Sequence, residues 1–472
     1  MLPAMVLAAL GIAGIYSATA GGEEASFWET PAAKQLAFLG VALAVFGAAL
    51  LPGYTRLARW SYAFYALTLA LLVLLAVLRA LHREIPDFIY PTNNAYSWIC
   101  IPGSDQKVQP SELAKIAFIM SLAYYLRYRK NYRRFWGLLV PFAMALVPTA
   151  LVLYQPDLGT AMMFLPVLFL MLFAAGARGK HLAAIVGLGL LCVPVFYASM
   201  HEYQRMRIDS WLLQGCAERL HFAIADAERA AEAKARAADE PTATVAARLS
   251  DDEKTALVRE VTGMWRFRLW RLATRLAWKE EESDVAAARD HLLAALREAG
   301  PGPESFVSLR RFFATFLAGP SHQLFQAKIA AGAGGLWGRG WLQGTQTRYG
   351  QLPFADTDFI FPVIAEQFGY VGAAAVVLLY GLVCLLGVDV SFSTTEPFGK
   401  LLVVGVVALV AAQAFLNLAM SVGLMPVTGI TLPLMSYGGS SLVSSFLALG
   451  LLCNVALRRL YLIAPRPFEW RE

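Results

Sequence analysis

Residues 61–81 read SYAFYALTLALLVLLAVLRAL, and no charged side chain interrupts the chain between Arg59 and Arg79. A hydrocarbon core needs roughly 20 apolar residues of helix to cross it. The run is solid rather than alternating, which excludes a strand of a transmembrane barrel. Working outward, comparable runs lie at 2–19, 34–51, 111–127, 136–153, 157–176, 182–199, 361–387, 400–424 and 437–457. The pattern predicts an all-α polytopic membrane protein with about ten transmembrane helices. The first run has only a weak basic region before it and no small-residue cleavage site, so it reads as a retained helix.

Composition agrees. The 472 residues are 58% hydrophobic and 16% charged, where a soluble domain carries about 25% charged residues. Disordered chains, coiled coils and most soluble enzymes are excluded. Cys100, Cys192, Cys216, Cys384 and Cys453 are far apart, and the histidines lack ligand spacing. No zinc or haem motif follows.

Lysine and arginine favour the cytoplasmic side of short loops. With the N-terminus inside, the inner segments hold Arg56, Arg59, Arg127, Arg129, Lys130, Arg133, Arg134, Arg178, Lys180, Lys400, Arg458, Arg459, Arg466 and Arg471. The short outer segments hold only Lys34, Arg79, Arg83 and Lys107. The predicted arrangement puts both termini in the cytoplasm, with the net charge of +6 serving mainly as a topology signal. Clusters such as Arg127 to Arg134 fit stop-transfer anchors that touch anionic lipid.

The stretch 200–360 is then extracytoplasmic. Its middle, 212–320, turns rich in Ala, Arg and Glu and is expected to form an inserted helical subdomain, dividing the chain into 1–211, 212–320 and 321–472. Ser250 and Glu253 make a capping box, and Pro241 and Pro301-Gly302-Pro303 act as breaks. Trp265, Leu269, Leu272 and Leu276 share one helical face, and Arg268, Arg271 and Arg275 another. Two readings fit: packing against the subdomain's own core, or a helix lying on the outer membrane surface. Nucleic acid is not expected there.

Four polar stretches stand at span ends, where charge is costly and usually paired or functional. Gln109 to Lys115 (QPSELAK) opens the fourth span, with Glu112 and Lys115 three apart on one face. Gln155-Pro156-Asp157 precedes the sixth span, where Asp157 can cap a helix. Asp358 in LPFADTDFIF (352–361) precedes the eighth, behind a glycine-rich stretch, Gly334 to Gly340, with Arg339 and Arg348 nearby. Glycines there suit a close approach to a ligand, and arginines suit phosphate. The fourth stretch, 426–441, is broken by Pro and Gly and carries Ser436, Gly438, Gly439 and Ser440. Such a loop lines a cavity or packs helices. Each stretch also has an ordinary reading as a cap or a self-neutralising pair. Together they suit an anionic, lipid-linked sugar substrate, and a transporter with a polar cavity equally well.

At these residues the sequence resembles the SEDS family of bacterial peptidoglycan polymerases (RodA, FtsW, SpoVE). The matching motifs are QPSELAK at 109–115, YQPDLGTAM at 154–162, YQRMRI at 203–208, HQLFQAKIAAGAGGLWGRG at 322–340, TDFIFPVIAEQFGYVG at 357–372 and GLMPVTGITLPLMSYGGSS at 423–441. The stretch 426–430 looks more like the RodA branch, which serves elongation, than the FtsW branch, which serves division. The resemblance implies ten helices with a large external loop between the seventh and eighth. It implies polymerisation of lipid II beside a class B penicillin-binding protein in the bacterial cytoplasmic membrane, with the polyprenyl tail of the undecaprenyl-linked glycan in membrane lipid and its sugars outside. It puts the catalytic aspartate at Asp358 and the substrate-binding set at Glu112, Lys115 and Asp157.

The implied reaction has an acceptor hydroxyl attacking the anomeric carbon, with Asp358 as general base and inversion by direct displacement. Lys115, Arg205, Arg207, Arg339 and Arg348 are candidates to hold the leaving diphosphate. A divalent cation, Mg or Mn, stands as an alternative without a motif of its own. A lipid II flippase and a non-catalytic scaffold are the rival functions. Two departures from the family pattern are visible. Asn94-Ala95-Tyr96-Ser97 puts no basic residue before Trp98, and the loop after Ile208 gains the 212–320 insert.

Overall fold

The computed structural model describes residues 1–19, 30–83, 85, 88–89, 96–100, 106–129, 133–200, 202–238, 250–276, 284–318 and 321–458. Asn94, Ala95, Lys130, Pro241, Arg459, Arg466, Arg471 and the side chains of Arg275 and Leu276 lie outside the described residues. The chain divides into two compact units. One comprises Met1–Val186, Ile329–Ala419 and Thr428–Glu472, and the other Gly187–Lys328 with Met420–Val427.

Among the described residues, nine helical segments are long and apolar enough to span a membrane. They are α1 (Leu2–Thr19), α2 (Pro31–Leu50), α3 (Tyr54–Ala80), α5 (Leu139–Tyr154, extended by a 3-10 turn from Phe135), α6 (Leu158–Ala175), α7 (Gly179–Ser199), α15 (Ile360–Ser393), α16 (Pro397–Ser421) and α17 (Gly439–Arg458). The remaining expected span is α4 (Pro110–Leu126), which has only 17 residues. That is the lower limit for a crossing. Most of its side chains are buried, so its polar first turn faces protein rather than lipid. The protein is a multi-pass membrane protein. Outward faces of its spans are apolar, as lipid requires: Leu67, Leu191, Leu378 and Phe415 are exposed.

Hydropathy misjudges two ends. The third span was expected from Ser61, yet α3 starts at Tyr54, because Arg56 and Arg59 interrupt apolarity without interrupting helix. The eighth span runs on to Ser393 and contains a break at Gly369, where φ is +68°.

The core of the first unit joins α1, α2, α15, α16, α17 and the loop 432–435. Gly11 lets α1 meet that loop: a Cβ there would lie 2.4 Å from the Met435 carbonyl oxygen. The far end of α17 closes over the turn between α2 and α3. Asn454 Nδ2 donates to the carbonyls of Ala49 and Pro52 at 2.6 Å each, and Asn454 Oδ1 accepts from the Tyr54 amide at 3.1 Å. Arg458 donates to the carbonyls of Leu50, Leu51 and Pro52. Carbonyls left unpaired by the end of α2 are thereby satisfied from the opposite end of the sequence.

The second unit holds α8 (Glu202–Ala238), α9 (Asp251–Gly263), α10 (Trp265–Leu276), α11 (Asp284–Glu298) and α12 (Pro303–Ala318). The capping box at α9 is formed, with both Ser250 and Glu253 hydrogen bonds present. Leu212, Leu213, Cys216, Val258, Val261, Phe267, Trp270, Phe312, Phe313 and Phe316 build one core. Burial pushes the Cys216 thiol up to about 11. All five cysteines are free thiols. The face of α10 that packs inward is not the Trp265 stripe. Phe267 and Trp270 fill the core, while Trp265, Leu269 and Leu272 are exposed. Spacing identifies a stripe, but α10 has two apolar stripes, and tertiary contacts choose between them.

Candidate functional site

Four helix N-termini meet at one end of the first unit. Gln109, capping α4, donates from its side chain to Asp157 Oδ2 at 2.7 Å, and Asp157 caps α6 by accepting from the Thr160 amide at 3.0 Å. The Gln109 amide donates to Ser440 Oγ at the start of α17, at 3.1 Å. The loop 428–441 then leads to the turn before α15, where the Tyr437 amide donates to the Asp356 carbonyl at 2.8 Å. Helix N-termini carry partial positive charge. Glu112, Asp157 and Asp358 each stand in or beside the first turn of one of these helices.

Glu112 and Lys115 form an ion pair at 2.8 Å with side chains only 8% and 2% exposed. Ser444 Oγ on α17 donates to the second Glu112 oxygen at 2.8 Å. So the pair is buried, hydrogen-bonded and anchored across two helices. Gly159 packs on the loop: a Cβ there would lie 2.7 Å from the Thr428 carbonyl oxygen.

Asp358 is half-buried, on a turn whose backbone is held from three sides. Asn417 Nδ2 on α16 donates to the carbonyls of Asp358 at 2.9 Å and Ile430 at 2.6 Å. Ser436 Oγ donates to the Thr357 carbonyl and accepts from the Leu432 amide at 2.8 Å. Gln35 on α2 bridges the loop, donating to the Ser436 carbonyl at 3.0 Å and accepting from the Gly438 amide at 3.1 Å. Burial raises the Asp356 carboxyl, two residues before Asp358, against its own and the Thr357 amide, which lower it.

The Ser436 and Ser440 hydroxyls bond backbone partners on both sides of the loop. Gly438 and Gly439 allow the loop to bend beside Phe38, whose ring would lie 2.6 Å from a Cβ at Gly439. Sequence reasoning missed Gln35 and Asn417, because a polar residue inside an apolar run has no visible partner until distant chain segments meet.

The glycine-rich stretch corrects another expectation. Gly334 and Gly338 approach a helix backbone. A Cβ at Gly334 would lie 1.9 Å from the Ala365 carbonyl oxygen, and one at Gly338 would lie 2.1 Å from that of Gln367. The amides of Arg339 and Gly340 donate to the carbonyls of Glu366 and Gln367, both at 3.0 Å. The break at Gly369 frees those carbonyls for this docking. Glu366, wholly buried, accepts from Thr345 Oγ1, the Gln346 amide and Thr347 Oγ1, fixing α14 (Thr345–Arg348). Arg348 is exposed and lines a cavity of about 360 Å³ with Tyr16, Ser17, Gln343 and Gln367. Arg339 is exposed, its Nε donating to the Ala333 carbonyl at 3.0 Å.

Arg205 and Arg207 belong to the second unit. Arg205 is buried, with Nε and Nη2 both donating to the Met200 carbonyl at 3.0 Å. Arg207 is half-buried on α8. Among the described residues no three His, Cys, Asp or Glu side chains converge to hold a metal ion.

A family model described as "Cell cycle protein", covering FtsW, RodA and SpoVE, matches residues 1–217 and 307–460. The chain is 31% identical over 370 residues to the peptidoglycan glycosyltransferase RodA of Treponema pallidum, covering 78% of each chain. It is 26% identical over 459 residues to the stage V sporulation protein E of Bacillus subtilis, covering 96% of this chain and 94% of that one. Among solved structures, a chain from a study of a peptidoglycan synthase complex shares the fold with a TM-score of 0.61 at 22% identity, covering 98% of this chain and 97% of that one. The rod shape determining protein RodA of Thermus thermophilus shares it with a TM-score of 0.54 at 21% identity, covering 97% and 95%.

Proposed function

The chain belongs to the FtsW/RodA/SpoVE family of cell cycle proteins, and from that membership we propose that it is a peptidoglycan glycosyltransferase that polymerises lipid II. One observation carries the assignment to a site: the loop 428–441 ties the turn bearing Asp358 to the cluster of Gln109, Glu112, Lys115 and Asp157 at the convergence of four helix N-termini. Such a region supplies what the chemistry needs: a carboxylate for proton transfer, and fixed positive potential for a diphosphate.

Asp358 takes the proton of the acceptor 4-hydroxyl as that oxygen attacks the anomeric carbon. The bond to the lipid diphosphate breaks on the opposite face, so configuration inverts. Glu112, Lys115 and Asp157 hold the substrate region, and Arg348, at the edge of its cavity, is a candidate for a phosphate or carboxylate. Arg205, Arg207 and Arg339 are the other candidates. Among the described residues no three carboxylate, histidine or cysteine side chains converge, and no step is routed through a cation. Ser436, Gly438, Gly439 and Ser440 act by holding the loop.

Both termini are assigned to the cytoplasm, and 200–360 to the outside of the bacterial inner membrane, from the distribution of Lys and Arg. A class B penicillin-binding protein is the expected partner. The test is purified chain with lipid II, read as glycan strands on a gel. Asp358→Asn keeps size and hydrogen bonding and removes the base. Its polymerisation should drop by about 10²- to 10⁴-fold, with an unchanged gel-filtration profile. Near-normal strands from this variant would sink the base assignment. Flipping of labelled lipid II by the unmodified chain without any polymer would favour transport instead.

A further inference from the structure

The family match stops at residue 217 and resumes at 307, so α9, α10 and α11 lie outside it. Within them α10 is unusual. At 100° per residue, Phe267 and Trp270 point one way into the core. Trp265, Leu269 and Leu272 point the opposite way and are 63%, 44% and 55% exposed. Arg268, exposed, and Arg271, half-buried, lie along one border between the two faces. On the other border Arg266 sits over the rings of Trp211 and Trp265, with its guanidinium carbon 5.3 and 5.5 Å from their centroids. A surface helix in water keeps one apolar stripe and hides it. This one hides a stripe and displays another, edged by arginine.

We propose that the outward face of α10 is an interfacial membrane anchor, seating the α9–α11 insert on a lipid surface rich in anionic headgroups. Two observations choose lipid over a protein partner. The exposed stripe is Trp and Leu with the exposed Arg268 along one border, which matches acyl chains in the middle and phosphate at that edge. Arg266 on the other border donates to the Trp211 carbonyl at 3.2 Å and holds the stripe's Trp265 end in place. The unit carrying it is also continuous in sequence with α7, a helix long and apolar enough to span the bilayer, which ends at Ser199 just before α8. A lipid surface is therefore tethered within reach. Tryptophan favours that depth, where its ring is buried and its N–H stays near the headgroups.

The experiment uses the full chain in nanodiscs of equal phosphatidylglycerol and phosphatidylcholine. A photoreactive benzophenone amino acid replaces Leu269, in a second preparation Leu272, and in a control Asp252, which is exposed on α9. After irradiation, adducts are identified by mass. Positions 269 and 272 should capture phospholipid at least tenfold more than position 252. Arginine attracts anionic headgroups, so phosphatidylglycerol adducts should exceed phosphatidylcholine adducts from this equimolar bilayer. Arg268→Gln should reduce the excess. Peptide adducts at 269 and 272, whether from this chain or another, would overturn the proposal, as would lipid capture no greater than at 252. Equal capture of the two lipids would overturn the role of the arginines. Two labelled positions guard against one substitution that disturbs folding.

Discussion

At the scale of single residues, the Glu112–Lys115 pair shows how a membrane protein keeps charge inside. Spacing alone brings the two together, and the Asp157 cap on the Thr160 amide follows from ordinary capping rules, so this much of the site was legible in the sequence; the Gln109–Asp157 bond, between residues 48 apart, was not. Nor was Ser444, because it stands 332 residues from Glu112 in the chain. Glu366 was hidden too: its three donors lie 19–21 residues upstream, beyond any helix or turn spacing, and no local pattern announces a carboxylate that holds a turn. Burial sets the size of the effect for the pair. Removing one partner leaves an uncompensated buried charge, at a cost of roughly 3–5 kcal/mol. We expect Glu112→Gln and Lys115→Met each to lower the melting temperature in detergent, and the double variant to lose much less than their sum. Strict additivity in that double-mutant cycle would mean that the two side chains do not act as a unit.

At the scale of elements, the sequence announced most helices and misplaced some of their edges. Hydropathy marks apolar length, whereas α3 begins where backbone hydrogen bonds allow, seven residues ahead of the apolar run at Ser61. Glycines were legible as special positions but not as to why. Gly334 and Gly338 meet the backbone of α15, and the contrast with nearby Gly332 gives a test. Gly332 has nothing within 4 Å of a would-be Cβ, whereas Gly338 combines φ of +86° with a clash against the Gln367 carbonyl. Gly332→Ala should be neutral or raise stability by about 0.4–1 kcal/mol. Gly338→Ala should cost at least about 1–3 kcal/mol from backbone conformation alone, and more as the docked carbonyls shift. Thermal unfolding of the two variants side by side checks this. Equal melting would show that the docking at Gly338 yields easily. The outward stripe of α10 belongs to the same lesson, since a sequence with two apolar stripes says that both exist and leaves packing to choose.

At the scale of the whole molecule, each unit has its own core, and the residues assigned to chemistry at 109–160 and 356–441 fall in the first apart from the stretch 420–427. The expected boundary at 212 falls inside α8, whose Leu212, Leu213 and Cys216 join the core completed by Phe312, Phe313 and Phe316. We propose 218–306, the stretch outside the family match, as the removable piece. Its deletion with a short linker should leave lipid II polymerisation measurable, because the residues assigned to the reaction remain. New protease cuts should appear within 202–217 and 307–318, where Phe and Leu side chains lose their cover. An intact but inactive deletion would assign the insert to the active site. The clamp of Asn454 and Arg458 on the turn after α2 has a different kind of consequence, one that concerns time. Asn454 and the Ala49 carbonyl that it closes are 405 residues apart. At about 5–20 residues per second of synthesis, roughly 20–80 s pass between them at the ribosome. During that interval the α2–α3 turn sits without the side chain that closes its carbonyls, so a chain halted before α17 leaves them open and that turn gains its partners only when α17 arrives.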